Sequence, residues 1–188
     1  MVHFKVPGFG KGELWLMIAT GCMLFGGVLA AVTTGVTWAS FEQSGAELTY
    51  GLSEGGFAFG NSHVSVDYSD PNFDDQDGAG LLRAAGPLMI VGIVLTFVAM
   101  AALAVSLFVR GAFITLGGSI GAALAVVFLL LALILLPIGI DQNFAENAGQ
   151  EDVSWGAGLY LGVFGTAFAL AGTVLAFLAR FDRTADLS

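Results

Sequence analysis

Four long and almost uncharged apolar stretches limit what this chain of 188 residues can fold into. A transmembrane helix needs about 20 consecutive apolar residues, so each stretch is long enough to cross a bilayer. The one charged residue inside them is Arg83, near the start of the second stretch. The sequence therefore predicts an all-α integral membrane protein, a four-transmembrane-helix bundle that forms a single domain over residues 1–188. The predicted helices cover approximately residues 14–38, 81–109, 112–140 and 153–179.

The composition excludes several other classes of protein. Hydrophobic residues make up 56% of the chain and charged residues only 11%, whereas a soluble domain carries roughly 25% charged residues. Six Lys and Arg residues stand against fifteen Asp and Glu residues, which gives a net charge of -9. Such a chain cannot neutralise phosphates, so nucleic acid is not a predicted partner. The single cysteine, Cys22, excludes a disulfide scaffold.

The few charges are sorted by side of the predicted bundle. Five of the six basic residues flank the chain termini or the short turn after residue 109. Twelve of the fifteen acidic residues lie in the two other loops, residues 39–80 and 141–152. The positive-inside rule then predicts a multi-pass protein of the cell membrane with both termini in the cytoplasm and two acidic loops outside. The basic residues concerned are Lys5, Lys11, Arg110, Arg180 and Arg183.

The first outer loop is long for a structureless connection and contains strand-like segments. Residues 47–50, 57–59 and 64–68 are rich in apolar or β-branched residues, and the last of them alternates. The pairs Gly55-Gly56 and Gly60-Asn61 are typical of turns. These features predict a small antiparallel sheet. We expect Trp38, Phe41 and Phe73 to support it on the helix ends, because an isolated hairpin is marginal in water.

Seven acidic residues of this loop form a candidate interaction surface. Four of them fall within residues 70–77, and clustered carboxylates are ligands for hard cations such as Ca²⁺. Their spacing does not match an EF-hand loop, however, so a solvated acidic surface is the favoured interpretation and no metal is predicted. The residues are Glu42, Glu47, Glu54, Asp70, Asp74, Asp75 and Asp77.

Small residues and one arginine are the remaining candidates. The pairs Gly117/Gly121 and Gly158/Gly162 have the small-xxx-small spacing that lets helices approach closely in lipid. They predict either packing within one bundle or a dimerisation face, and the sequence does not separate the two. Arg83 is expected to tether the second helix to the loop sheet. Its rival role, binding an anion, is disfavoured by the acidic surroundings.

Enzymatic chemistry has little support in the sequence. Neither His3 nor His63 stands at a spacing from Cys or carboxylates that suggests a metal site or a catalytic triad. A Gly-rich phosphate loop followed by Lys is also lacking. The sequence therefore predicts a non-enzymatic protein without a cofactor.

Several short motifs resemble those of the claudin and peripheral myelin protein superfamily. Trp38 follows the first helix as the first-loop Trp of that family does, and Glu54-Gly55-Gly56-Phe57 resembles the family's G-L-W motif with Phe for Trp. The run 82–89 (LRAAGPLM) is similar to the start of the family's second helix, and 155–162 (WGAGLYLG) to the start of its fourth. The family's cysteine pair in the first loop is missing from residues 60–65.

The resemblance implies four transmembrane helices and a β-stranded first extracellular loop, anchored through Trp38, Gly55, Gly56, Phe57 and Arg83. It favours a non-enzymatic, claudin-like tetraspan protein that acts through its acidic extracellular loops in protein–protein interaction. One alternative is an auxiliary or structural subunit of a larger membrane complex. Another is a component of a cation-selective pore or barrier. The predicted partners are the lipid bilayer and other membrane proteins or a second copy.

Overall fold

Four long helices and one small sheet make up the protein in a computed structural model that describes residues 11–43, 46–60, 62–73, 76–109, 112–147 and 153–185. Each helix contains a span long and apolar enough to cross a membrane, by length and composition. This confirms the four predicted apolar helices. The helices are α1 (Lys11–Val32), α2 (Ala79–Phe108), α3 (Ala112–Asn147) and α4 (Ala157–Ala185).

The helices pack as two closely contacting pairs, α1 with α4 and α2 with α3. Glycines allow the approach in the first pair. A Cβ added at Gly26 would lie 2.7 Å from the Gly165 carbonyl oxygen, and one at Gly165 would lie 2.8 Å from the Ala30 nitrogen. The two backbones are therefore in direct contact, as small residues permit at helix interfaces.

The sheet has five antiparallel strands in the order β4-β3-β2-β1-β5. The loop between α1 and α2 supplies four of them, and the fifth comes from the loop between α3 and α4, so the sheet joins both connections at one end of the bundle, here called the sheet end. The strands are β1 (Ala39–Gln43), β2 (Ala46–Tyr50), β3 (Glu54–Phe59), β4 (Ser62–Asp67) and β5 (Ser154–Trp155).

The sheet is larger than the sequence predicted, because β1 and β5 were not foreseen. The prediction of a turn at Gly55-Gly56 was wrong, since both residues lie within β3. A Cβ at Gly56 would meet Thr49 Oγ1 at 2.5 Å, so this glycine makes room for a side chain of the neighbouring strand. The turn at Gly60 is confirmed. Its φ of 57° is a conformation that glycine adopts at little cost.

The helix ends differ from the predicted ones at α1, α3 and α4. The α1 helix ends at Val32 and a 3-10 turn covers Thr33–Gly35, so Trp38 lies beyond the helix and not at its last residue. The Trp38 indole Nε1 donates a hydrogen bond to the Thr33 carbonyl, 3.0 Å away, which closes this end. At the other boundary, α3 continues past residue 140 to Asn147, and α4 begins only at Ala157.

Candidate functional site

Trp38 is the centre of packing at the sheet end. Its side chain is 1% exposed and lies against α4 at Gly158 and Gly162. A Cβ at Gly158 would lie 2.7 Å from Trp38 Cδ1, and one at Gly162 would lie 2.9 Å from Trp38 Cη2. This glycine pair therefore packs within the bundle, where it forms a flat surface for the indole.

The other glycine pair has a different environment. A Cβ at Gly121 would lie 3.6 Å from the Ala99 Cβ on α2, which is ordinary van der Waals contact. A Cβ at Gly117 would meet nothing within 4 Å. Among the described residues, Gly117 thus makes no close approach to another helix, while Gly121 packs within the bundle.

Arg83 connects α2 to the chain that follows β4. Its Nε donates a hydrogen bond to the Tyr68 carbonyl oxygen at 2.8 Å, and its Nη2 reaches the Asp70 carbonyl oxygen at 3.5 Å. The guanidinium therefore holds the backbone of the loop. Hydrogen bonds from Ser69 lower the pKa of Asp67, and the charge of Arg83 adds to this effect. These contacts have the form of the tether that the sequence suggested.

Asn143 links three elements at the sheet end, although sequence reasoning gave it no role. Its Oδ1 accepts a 2.7 Å hydrogen bond from the Tyr50 hydroxyl on β2. Its Nδ2 donates to Gln76 Oε1 at 2.9 Å and to the Asp77 carbonyl at 3.2 Å. One buried amide on α3 thereby joins the sheet to the segment before α2. Burial also raises the pKa of Tyr50 to about 12.

The acidic residues of the strands share one side of the sheet. Residues directly opposite each other in an antiparallel pair point to the same face, and successive residues of a strand point to opposite faces. The register pairs Glu42 with Glu47 across β1 and β2, and Glu54 with Asp67 across β3 and β4. By alternation both pairs lie on one face, here called the acidic face. All four side chains are exposed.

Two opposed carboxylate pairs are an unfavourable arrangement for a sheet by itself, since like charges directly opposite each other are destabilising. Residues 39–67 contain no Lys or Arg that offsets them from within the strands. Asp67 is partly compensated because the Ser69 amide donates a 2.7 Å hydrogen bond to its Oδ1, which lowers the pKa of this carboxyl.

A polar groove of about 190 Å³ adjoins the acidic face next to the end of α1. Hydroxyl groups predominate among its polar side chains, with Glu54 and His63 as the ionisable groups. The sequence interpretation did not find this groove, because it depends on the strand register bringing β2, β3 and β4 beside the 3-10 turn. Its polar side chains are Thr34, Thr37, Thr49, Ser53, Glu54, His63 and Ser65.

The remaining predicted residues that the structure describes lie at or near the sheet. Phe57 is in β3, on the face opposite the acidic one, and its side chain is exposed. Gly55 lies beside the Tyr68 ring, 3.5 Å from an added Cβ. Asp70 and Asp77 belong to the segment between β4 and α2. Asp74 and Asp75, also predicted for the acidic surface, lie outside the described residues.

Neither the arrangement of possible metal ligands nor comparison with known proteins assigns a function to these residues. Within the described part of the chain, no group of three or more His, Cys, Asp or Glu side chains is arranged to hold a metal ion. No family model matches the chain, and no curated protein matches it in sequence. The acidic face is therefore the candidate site with the most distinctive chemistry.

Proposed function

We propose that this chain is a non-enzymatic tetraspan protein of the cell membrane, with the claudin-like arrangement of helices and loops. Both termini lie in the cytoplasm and the sheet lies outside. The acidic face of that sheet binds a basic surface of another membrane protein or of a facing cell. The observation that carries the proposal is the placement of two directly opposed carboxylate pairs on one exposed face.

Exposure of the helices supports insertion in a membrane. Large apolar side chains remain exposed along all four helices, for example Leu24, Val98, Leu124 and Val174. A soluble monomer rarely exposes a contiguous apolar surface larger than a few hundred Å². Lipid chains would cover these side chains without loss of any hydrogen bond, because the backbone groups within the helices bond to each other.

Charge repulsion supports a basic partner. Opposed carboxylates destabilise the free sheet, and a Lys or Arg side chain placed between them would remove that repulsion. The binding energy would thus include the relief of an unfavourable interaction in the free protein. Since the pairs are solvent-exposed, the attraction would be screened by salt.

The direct test is capture of partners after chemical cross-linking in native membranes and purification in mild detergent. We expect the wild-type protein to retain a partner at fixed stoichiometry, and the yield of the cross-linked complex to fall as the salt present during cross-linking is raised. The triple variant Glu42→Gln, Glu47→Gln and Glu54→Gln should lose it. These substitutions keep side-chain shape and remove only charge.

The matched control is Asp182→Asn near the end of α4, which removes a charge on the predicted cytoplasmic side. It should retain the partner. Capture of the same partner by the triple variant would refute a role for the acidic face. A protein that stays a lone monomer in every condition would refute the interaction itself. An auxiliary subunit would show the same fixed stoichiometry, with loss of the activity of its complex when this chain is deleted.

A further inference from the structure

The polar groove on the acidic face lies where a glycine leaves a gap between two strands. On β3, Gly56 stands directly opposite Thr49 of β2 and directly opposite Ser65 of β4. A Cβ added at Gly56 would lie 2.5 Å from Thr49 Oγ1 and 3.1 Å from His63 Cε1. The hydroxyl and the imidazole therefore converge over a position that has no side chain, and backbone forms the floor of the groove there.

The hydroxyl groups of the groove are available to a ligand. In the described part of the chain, no hydrogen bond joins the hydroxyls of Thr49, Ser53 and Ser65 to another side chain or to the backbone. Hydroxyls buried between the helices differ, because they bond to a carbonyl of their own helix, as Thr96 does to Gly92 at 2.8 Å. The groove thus presents several acceptor oxygens that the fold of the chain does not use.

The charges around the groove favour a cation. Glu54 lines the groove, and Asp67 stands directly opposite Glu54 on β4. Residues 34–37, which follow α1, form another part of the lining, and the C-terminal end of a helix carries a partial negative charge. None of the described lining residues is a Lys or an Arg. A positively charged group would therefore be attracted from two sides and would meet no like charge of Lys or Arg.

The groove has room for the end of one long side chain. Its volume is about 190 Å³. A cavity of about 150 Å³ is large enough to hold a benzene molecule. A flat guanidinium group and the methylene groups next to it therefore fit within the groove.

We propose that this groove receives the guanidinium group of an arginine side chain of the protein partner. The inference rests on the proposed function, since it names the contact through which the acidic face binds a basic surface. A guanidinium has five N–H donors in one plane, whereas an ammonium is a compact group with three. Acceptor oxygens come from three strands, at Thr49, Glu54 and Ser65, so the wider group reaches more of them. Its bond to the carboxylate is charge-assisted and is the strongest of the set.

The test follows the amide NMR resonances of the isotope-labelled full chain in detergent micelles during titration with methylguanidinium chloride. N-methylurea is the matched neutral probe, because it has nearly the same shape and no charge, and sodium chloride keeps the ionic strength equal. The hydroxyl variant, Thr49→Val with Ser65→Ala, leaves every carboxylate in place. The control variant, Ser40→Ala with Ser62→Ala, removes two hydroxyls of the same sheet outside the groove.

We expect methylguanidinium to shift the amide resonances of Thr49, Gly56 and Ser65 to saturation, and N-methylurea to leave them unchanged. The dissociation constant should rise about tenfold in the hydroxyl variant and stay within about twofold in the control variant. Methylammonium should bind more weakly than methylguanidinium. The absence of saturation, equal shifts with N-methylurea, or equal affinity for methylammonium would overturn the proposal.

A second variant keeps the test independent of the folding of the hydroxyl variant. Glu54→Gln removes the charge of the groove carboxylate and keeps the shape of its side chain. It should also weaken methylguanidinium binding by about tenfold or more. Unchanged affinity in Glu54→Gln, or in a hydroxyl variant whose other sheet resonances match those of the wild type, would overturn the site.

Partner capture separates this inference from the proposed function. The hydroxyl variant retains Glu42, Glu47 and Glu54, and it should nevertheless lose most of the captured partner. If the triple Gln variant loses the partner while the hydroxyl variant retains it, the acidic face binds without the groove and only this inference is refuted. If the triple Gln variant retains the partner, the proposed function fails. Saturable binding of methylguanidinium in that case would assign the groove to a free guanidinium compound and would overturn the partner's arginine as its occupant.

Discussion

The hydrogen bond between Tyr50 and Asn143 is the most informative contact to remove, because it joins the sheet to the helix bundle. The Tyr50 hydroxyl donates to Asn143 Oδ1 at 2.7 Å, and both side chains are buried. The substitution Tyr50→Phe deletes this donor and keeps the ring that stacks on Phe41. Asn143→Ala deletes the acceptor together with the two bonds from Nδ2 to Gln76 and Asp77.

The structure sets the expected magnitudes. Removing one partner of a buried hydrogen bond costs about 1–3 kcal/mol, so we expect Tyr50→Phe to destabilise the sheet contact by about 1.5 kcal/mol. Asn143→Ala loses three described bonds at roughly 1 kcal/mol each, for a total of about 3 kcal/mol. The double variant should cost less than the sum of the two single variants. A coupling energy of about 1 kcal/mol is expected for residues in direct contact.

Hydrogen exchange measured by mass spectrometry in mild detergent is the assay, because it reports the sheet separately from the helices. Exchange of the β2 amides should accelerate about tenfold in Tyr50→Phe, since about 1.4 kcal/mol corresponds to a factor of ten. Tyr160→Phe is the control, because its phenol is exposed on α4. A coupling energy below about 0.3 kcal/mol would refute the role of Asn143 in linking β2 to the helix bundle.

Three further predictions concern the same end of the molecule. In thermal unfolding, Gly158→Ala should destabilise the protein by about 1–3 kcal/mol, because the added methyl overlaps the buried indole of Trp38. Gly117→Ala is the matched control. Its added methyl meets open space, so it should be neutral or stabilising by up to about 1 kcal/mol. Arg83→Met removes the bond to the Tyr68 carbonyl and should raise proteolysis between β4 and α2 without loss of helical circular dichroism, and unchanged proteolysis would contradict the tether. Burial raises the pKa of Tyr50 to about 12, so the stabilising contribution of its hydroxyl is complete below pH 10 and is lost as the pH rises through about 12. Phenolate absorbance and hydrogen exchange of the β2 amides should change together over that range. In Tyr50→Phe this pH-dependent change in exchange should disappear.

The helices were predictable because bilayer-length apolar stretches are a strong and local signal. The ends of the helices were less predictable, because an apolar stretch does not determine the residue at which a helix ends. Asn143 lies just beyond the apolar stretch that ends at residue 140, so the pattern assigned it to a loop. In the structure its side chain finds partners on the sheet and before α2, and the helix continues past it. Only tertiary contacts contain that information.

The sheet was partly predictable for a related reason. The β4 strand alternates clearly, and it was found. The β5 strand has two residues, too few to form a pattern, and it exists because Trp155 and Ser154 pair with β1. The pair Gly55-Gly56 is typical of turns in sequence, but it lies within β3. Gly56 is needed there because a larger side chain would overlap the side chain of Thr49 on the next strand. Turns and close packing between strands both favour glycine, and sequence alone does not separate the two.

The register of the sheet explains why the carboxylates face one another, but it does not explain why they are carboxylates. A slip of one residue would turn Phe41 and Tyr50 away from the helices, and full burial of such a side chain is worth about 2 kcal/mol. The repulsion of one opposed pair costs at most about 1 kcal/mol, so aromatic burial decides the register. Thr or Lys at position 42 or 47 would satisfy the same register without repulsion. The fold of the sheet therefore does not account for the acidic identity of Glu42 and Glu47, whereas the basic partner that we propose for the acidic face would account for it.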